Sequence, residues 1–324
     1  MAGNTLGLMA DIGATNARFA LSEGGEIRHI EVLKCDDYSG IVGAAKHYLE
    51  QIGVTDKPTV GAFSVAGPVR GDHFEMTNHP WSFSIESTKL HLNLRALEVM
   101  NDFKAMAMGV PHLKSKDVTQ IGGGRAVSGE PIGIIGPGTG LGVGPLVWNG
   151  ERYIPVSGEG GHVTMPAKTQ REYDVFTVLR HKYRHVSAER VCSGKGLVNI
   201  YNALKTLDDC RDLPVLTPEE ISEKALADSC PVCVEALDMM MDFLGIVAGN
   251  LALTLGAHGG IYIAGGIIMQ LGDSFEKSRF RQSFLAKGRL ENYLSDIPTF
   301  VINDPFTAFL GLQDDIARMS SAQE

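Results

Sequence analysis

The sequence predicts an α/β fold of two lobes, and three observations carry that expectation. At 324 residues the chain is long enough for two domains with separate cores. Residues 6–21 read as a strand, a small-residue turn Asp11-Ile-Gly-Ala-Thr-Asn and a second strand running straight back, because Ala17-Arg18-Phe19-Ala20-Leu21 alternates. Residues 133–147 repeat that arrangement around Gly136-Pro-Gly-Thr-Gly-Leu-Gly.

Each turn offers what a phosphate needs: backbone N–H groups aimed at it and no Cβ in the way, which Gly13, Gly138 and Gly140 supply. A strand after the glycines argues against the dinucleotide fingerprint, in which the turn opens a helix, and no Gly-x-x-x-x-Gly-Lys-Ser/Thr occurs, so a P-loop is excluded. Taken singly, each turn reads as a tight hairpin. Occurring together, they point to a nucleotide held between two lobes.

The first lobe opens with strands at 6–11, 18–21 and 27–33, a helix over 41–52, and a strand at 59–65 ended by Ala66-Gly67-Pro68. Around Asn78-His79-Pro80-Trp81 the pattern is that of a loop. A short strand at 97–100 leads into Asn101-Asp102 and an apolar helix over 103–110, so Asp102 falls at a strand end and a helix start. Residues 111–131 contain Gly122-Gly123-Gly124 and no clear period, and the lobe boundary is expected there. The resulting division is 1–112 plus 303–324 as a small α/β domain and 113–302 as a large one.

After its hairpin the second lobe turns helical at 171–183, 187–191, 194–207 and 218–228, then forms a long helix from about 232 to 255. In that helix Met239, Met240, Phe243, Leu244, Val247, Leu251 and Leu255 recur at three- and four-residue steps, a core face and not a cofactor box. A buried strand at 260–264 ends at Gly265-Gly266, and a last strand at 298–302 stops at Asp304-Pro305. A helix over 307–318 is expected to pack back on the first lobe.

A formal net charge of −9 leaves no basic field for nucleic acid or anionic lipid. Phosphate charge must then be met locally, through loop amides, a helix N-terminus and a divalent cation. The longest apolar stretch, 243–257, falls short of the ~20 residues that span a bilayer. Residues 1–5 lack the basic region of a signal peptide, so a cytoplasmic location without membrane contact is expected. Five cysteines without framework spacing fit a reduced compartment. Cys230-Pro-Val-Cys233 is a single CxxC with no second pair nearby, so helix capping is expected over metal or redox chemistry.

Moving a phosphoryl group to an alcohol requires alignment, charge compensation and one carboxylate to take the hydroxyl proton. Asp102 is the candidate, beside Asn101, whose amide can orient a hydroxyl, where a strand ends. The competing reading makes Asp102 an N-cap and Asn101 a turn residue. In Ser157-Gly-Glu-Gly-Gly-His162, glycines let Glu159 and His162 point into one pocket and bind adjacent hydroxyls, as sugars present them; the same pair could instead ligate zinc or be a capped loop. Glu189 reads from its own context as a capping-box or surface residue.

Eight stretches, in order along almost the whole chain, resemble the bacterial glucokinases of the enterobacterial type. They are Asp11-Ile-Gly-Ala-Thr-Asn-Ala-Arg, Met76-Thr-Asn-His-Pro-Trp, Asn101-Asp-Phe, Gly138-Thr-Gly-Leu-Gly, Gly158-Glu-Gly-Gly-His, His185-Val-Ser-Ala-Glu-Arg-Val, Gly196-Leu-Val-Asn and Ile263-Ala-Gly-Gly-Ile. The resemblance implies a two-lobed actin-like ATPase (ribonuclease H-like) fold, shared with hexokinase and Hsp70, with an interlobe active-site cleft. It implies phosphorylation of glucose at its 6-hydroxyl by Mg2+ and ATP, as in glycolysis. Asp102 would be the general base, and Asn101, Glu159, His162 and Glu189 would bind the sugar. Asp11 would sit near the magnesium through water; Gly13, Thr15, Asn16, Gly138 and Thr139 would line the phosphates; Gly265 and Gly266 would approach the adenosine. A cytosolic homodimer is the expected assembly. The chain departs from the relatives at Pro137 and Lys195, and it lacks the cysteine-rich zinc motif of the related repressor and kinase group. The rival expectations are a kinase for another hexose and a non-catalytic sugar-responsive regulator on the same fold.

Overall fold

The structure, a computed structural model, describes residues 6–76 and 79–321. The chain forms two compact units, Met1–Lys114 with Asp304–Glu324, and Ser115–Asn303.

In the first unit, β1 (Gly7–Ile12) and β2 (Asn16–Glu23) make the antiparallel hairpin that the alternation predicts, and β3 (Glu26–Lys34) extends it. After α1 (Ile41–Gln51), β4 (Val60–Val65) pairs parallel with β1. A small hairpin of β5 (His73–Glu75) and β6 (Ser82–Ser84) follows, then α2 (Ile85–His91), β7 (Ala96–Asn101) parallel to β4, and α3 (Asp102–Gly109). The main sheet runs β3-β2-β1-β4-β7. Every residue of β4 is buried, as a central strand covered on both faces requires. Leu8, Ile12 and Phe63 pack with Tyr48 and Trp81 on one face, while Met9, Ala62 and Met100 build the core on the other.

Residues 79–81, read as loop, lie between the two strands of that hairpin, and the flanking hairpin and α2 are elements for which the sequence gives no reading. Three-residue strands and a seven-residue helix are too short for a period to reveal them. Asn78, also read as loop, and Thr77, both within one of the eight quoted stretches, lie outside the described residues.

The sheet of the second unit runs β11-β10-β9-β12-β13-β8. Its strands are β8 (Val118–Ile121), β9 (Ile132–Pro137), β10 (Leu141–Trp148), β11 (Tyr153–Pro155), β12 (Ile261–Ile263) and β13 (Thr299–Ile302). Between β11 and β12 come α4 (Gln170–Lys182), α5 (Gly194–Leu207), α6 (Pro218–Leu226) and α7 (Pro231–Leu255). Capping boxes at Thr169/Glu172 and Thr217/Glu220 start α4 and α6. Met239, Met240, Phe243 and Leu244 of α7 are buried in one large cluster with residues of α4, α5 and the sheet, so the methionines are core.

Two expectations need correction here, and one stretch for which the sequence gives no reading proves helical. The unperiodic segment 111–131 contains β8, an edge strand whose exposed Thr119 and Gln120 hide any alternation. The helix expected over 187–191 is a single 3-10 turn, Ala188–Arg190. Residues 266–295 form α8 (Gly266–Leu271), α9 (Asp273–Lys277), α10 (Phe280–Leu285) and α11 (Glu291–Ser295), each shorter than two turns and so without a legible stripe.

The doubling in the sequence is a doubling of topology. In each unit an antiparallel hairpin, β1–β2 or β9–β10, is extended on one side by a third antiparallel strand and on the other by two parallel ones. The last helix, α12 (Thr307–Ser321), packs in the first unit, where Phe309, Leu312 and Ile316 join Met9 and Met100. It crosses α3 with backbones nearly touching: a Cβ on Gly311 would lie 2.0 Å from the Ala105 carbonyl oxygen, and one on Gly109 would lie 2.0 Å from that of Thr307.

This crossing predicts that Gly311→Ala destabilises the chain by at least about 2 kcal/mol in urea unfolding, because neither backbone can yield cheaply. Gly43→Ala is the control: it lies in α1 with no atom nearer than Ser39 Oγ at 4.0 Å, and should stabilise by about 0.5–1 kcal/mol. Equal stability of Gly311→Ala and the native chain would refute the crossing.

Candidate active site

The predicted residues fall into two groups, one in each unit. In the first, the parallel strands β1, β4 and β7 end side by side, Asp11 opposite Ser64 and Val65 opposite Asn101. Carboxyl ends of parallel strands are where open α/β sheets bind ligands. Asp11, with its side chain 17% exposed, is held from two sides: Ser64 Oγ donates to Oδ1 at 2.7 Å and Arg18 Nη1 to Oδ2 at 3.2 Å.

Asn101, not Asp102, is the N-cap of α3. Its Oδ1 accepts from the Lys104 N–H at 3.2 Å, while Nδ2 donates to the Gly67 carbonyl and to Asp102 Oδ1. The Phe103 N–H, at 2.8 Å, falls on the same Oδ1 of Asp102. Oδ2 of Asp102 has no hydrogen bond among the described residues. Burial carries the Asp102 carboxyl from 3.8 up to about 6; the Phe103 N–H draws it back and the negative Asp11 nearby pushes it further up. The residue thus combines a half-buried position, a fixed rotamer and a free oxygen, the properties of a proton acceptor tuned near neutrality.

The β1–β2 turn is fastened by the Gly13 N–H to the Asn16 carbonyl at 2.9 Å and by the Cys35 thiol to the Gly13 carbonyl at 3.4 Å, with Thr15 exposed between. Ser64, Arg18 and Cys35 were not singled out as support residues from the sequence. Ser64 had a signal, being the one polar side chain in the otherwise apolar strand 60–65.

In the second unit the β9–β10 turn is closed by the Gly138 N–H donating to the Gly140 carbonyl at 2.8 Å, and the Gly138 carbonyl accepts from the Gly194 N–H at the start of α5. Thr139 is exposed at its tip. Glu189 comes against this turn. Its Oε2 accepts from the Leu141 N–H at 3.1 Å and stands 2.6 Å from where a Cβ on Gly140 would be. The capping-box reading of Glu189 is therefore replaced by a carboxylate that fits the space left by a glycine. Its Oε1 lies 3.8 Å from His162 Nε2, and His162 Nδ1 lies 3.7 Å from Glu159 Oε2. Glu159, 88% exposed, is the least constrained of the three. His162 and Glu189 also line a cavity of about 330 Å³ with Tyr183, Ser187 and Arg190, a size suited to a small polar ligand. Gly265 lies by the same turn, since a Cβ there would meet the Pro137 carbonyl oxygen at 2.1 Å, and Gly266 opens α8.

Among the described residues no group of three or more His, Cys, Asp or Glu is placed to hold a metal ion. A protein cage is not what Mg2+ with a nucleotide needs, since it keeps several waters and takes one or two carboxylates plus phosphate oxygens. Asp11, with one hydrogen bond on each oxygen and lone pairs remaining, fits a contact made through water. No helix among the described residues is long and apolar enough to cross a membrane.

A glucokinase family model matches residues 8–319. The glucokinase of Aromatoleum aromaticum is 48% identical over 306 residues, 94% of this chain and 92% of that protein. The glucokinase of Paramagnetospirillum magneticum is 47% identical over 307 residues, covering 94% and 95%. A solved glucokinase from an Antarctic psychrotroph superposes with a TM-score of 0.87 at 32% identity, over 97% of this chain and 99% of that one.

The half-buried carboxyl predicts a linked pH effect. The folded chain binds the Asp102 proton with a pKa of about 6 against 3.8 for an ordinary carboxyl, so it holds more protons than the unfolded chain between those values, and stability falls as pH rises through them. Asn cannot ionise and keeps an oxygen for the Phe103 N–H. In urea titrations without nucleotide or divalent cation, Asp102→Asn should be the more stable by about 1–2 kcal/mol at neutral pH, water at the half-buried group limiting the gain. Below the ordinary carboxylate range the difference should vanish. Equal stability at neutral pH would show that the carboxyl is hydrated.

Proposed function

The chain belongs to the glucokinase family, and from that premise we propose how its residues divide the transfer of the γ-phosphoryl group of ATP to the 6-hydroxyl of glucose. The fold is that of glucokinases and related actin-like ATPases. Asp102 takes the hydroxyl proton on Oδ2. The observation that carries this reading is the partition of its carboxylate, with both hydrogen bonds on Oδ1 and the second oxygen left for substrate. Removing the proton as the oxygen attacks phosphorus raises its nucleophilicity when needed, and a base near neutrality is ionised at rest yet able to keep the proton.

Asn101 keeps Asp102 aligned through Nδ2, and a second lone pair on Oδ1 can accept a sugar hydroxyl. Glu189 and Glu159 accept sugar hydroxyls, and His162, between them, donates or accepts. The two glycine turns, with Gly13, Thr15 and Asn16 in one and Gly138 and Thr139 in the other, line the phosphates by close backbone approach, the Gly13 and Gly138 N–H groups being already committed to closing the turns, and Gly265 and Gly266 approach the adenosine. Mg2+ arriving with ATP offsets phosphate charge, and Asp11 faces it through water. We place the protein in the cytoplasm as a homodimer, as its family resemblance implies.

The test is Asp102→Asn. It should bind glucose within about threefold of the native affinity by calorimetry, while kcat for glucose 6-phosphate formation falls by roughly 10²–10⁴. A kcat within about tenfold of native would remove Asp102 from the role of base.

A further inference from the structure

Cys230-Pro-Val-Cys233 takes no part in the chemistry above, and its setting is specific. Cys230 is the N-cap residue of α7, Pro231 is the first helical residue, and Cys233 lies one turn on. Residues three apart at a helix start stand about 5 Å apart at Cα, within the roughly 4.4–6.8 Å that a disulfide spans. The two differ in access: Cys230 is half-exposed, whereas Cys233 is buried in the core beside α7. Cys230 thus stands at the helix cap expected from sequence, though its side chain makes no cap hydrogen bond.

Burial alone would raise the Cys230 thiol, but the Cys233 thiol, the N–H groups of Cys233 and Val232, and the Lys224 ammonium on α6 outweigh it and bring the group below its usual range. Burial pushes Cys233 up to about 12, with Cys230 adding to it. The accessible sulfur is therefore the more acidic of the two, and the buried one is held in reserve as thiol. Cys210, the other half-exposed cysteine, has its Sγ donating to the Asp208 carbonyl.

We propose that Cys230 and Cys233 form a thiol-exchange site for low-molecular-weight disulfides, closing into an intramolecular disulfide. The Cys230 thiolate attacks one sulfur of a disulfide RSSR, forming a mixed disulfide and releasing RS⁻. Cys233, losing its proton to solvent, attacks the Cys230 sulfur and releases the second RS⁻. The two cysteines are oxidised by two electrons, and RSSR is reduced to two RSH.

Glutathione disulfide is the probe, used on the full chain with peptide mass spectrometry. The native protein should lose two hydrogens across the peptide holding both cysteines and retain no glutathione there. Cys233→Ser should stop at glutathione on Cys230, and Cys230→Ser should take none at either position. Iodoacetamide at neutral pH should label Cys230 at least about tenfold faster than Cys210, with Lys224→Met narrowing the gap. Failure of Cys233→Ser to trap glutathione, or Cys210 reacting as fast as Cys230, overturns the proposal. Because every readout is at the sulfurs, it stands or falls separately from the kinase reading.

Discussion

If Asp102 acts as the proposed base, its carboxylate cannot be fully satisfied by its own protein, and this constraint organises the first unit. Asn101 meets it by capping α3 itself, so that Asp102 need not. Both donors available to Asp102 fall on one oxygen. The ionised group in a half-buried place is unfavourable, and the buried strands β1 and β4 with α12 against α3 offset that cost. Stability spent at a site in this way is a common mark of function.

The second unit obeys a constraint of space. Glu189 fills the room that Gly140 leaves, accepts the N–H of Leu141 and reaches toward His162. One carboxylate therefore ties the glycine turn to His162, and a change at either is felt by the other. The turn is fastened on its other side by the Gly194 N–H at the head of α5. Its backbone is thus fixed in place, with the Gly138 and Leu141 N–H groups both engaged within the protein.

Much of this was legible in the sequence, for physical reasons that differ by element. The hairpins 7–23 and 132–148 and the long helix 231–255 announce themselves by unbroken periods. Helices α8 to α11 and the β5–β6 hairpin do not, because an element shorter than two turns or four residues contains no period to read. Asp102 was legible as a residue at a strand end but not as a free oxygen, since that depends on where Asn101 and Phe103 direct their N–H groups. Glu189 was the least legible, because its partner at Leu141 is 48 residues away and the relevant feature at Gly140 is an absent atom. Chain-distant contacts of this kind leave no local trace, so only resemblance marked the residue.

The environment of Asp102 balances opposing effects, and the balance suits the chemistry. Burial and the charge of Asp11 raise the carboxyl, whereas the Phe103 N–H and the Asn101 amide lower it. Without those donors burial would carry the group further up, toward a carboxyl that keeps its proton. The donors without burial would leave a weak base, well hydrated and poorly matched to an alcohol proton. Arg18 enters indirectly, because its ion pair with Asp11 moderates the very charge that raises Asp102. The pairing of Asp11 with Arg18 across the first hairpin and the capping of α3 by Asn101 therefore set one property between them, the proton affinity at the end of β7.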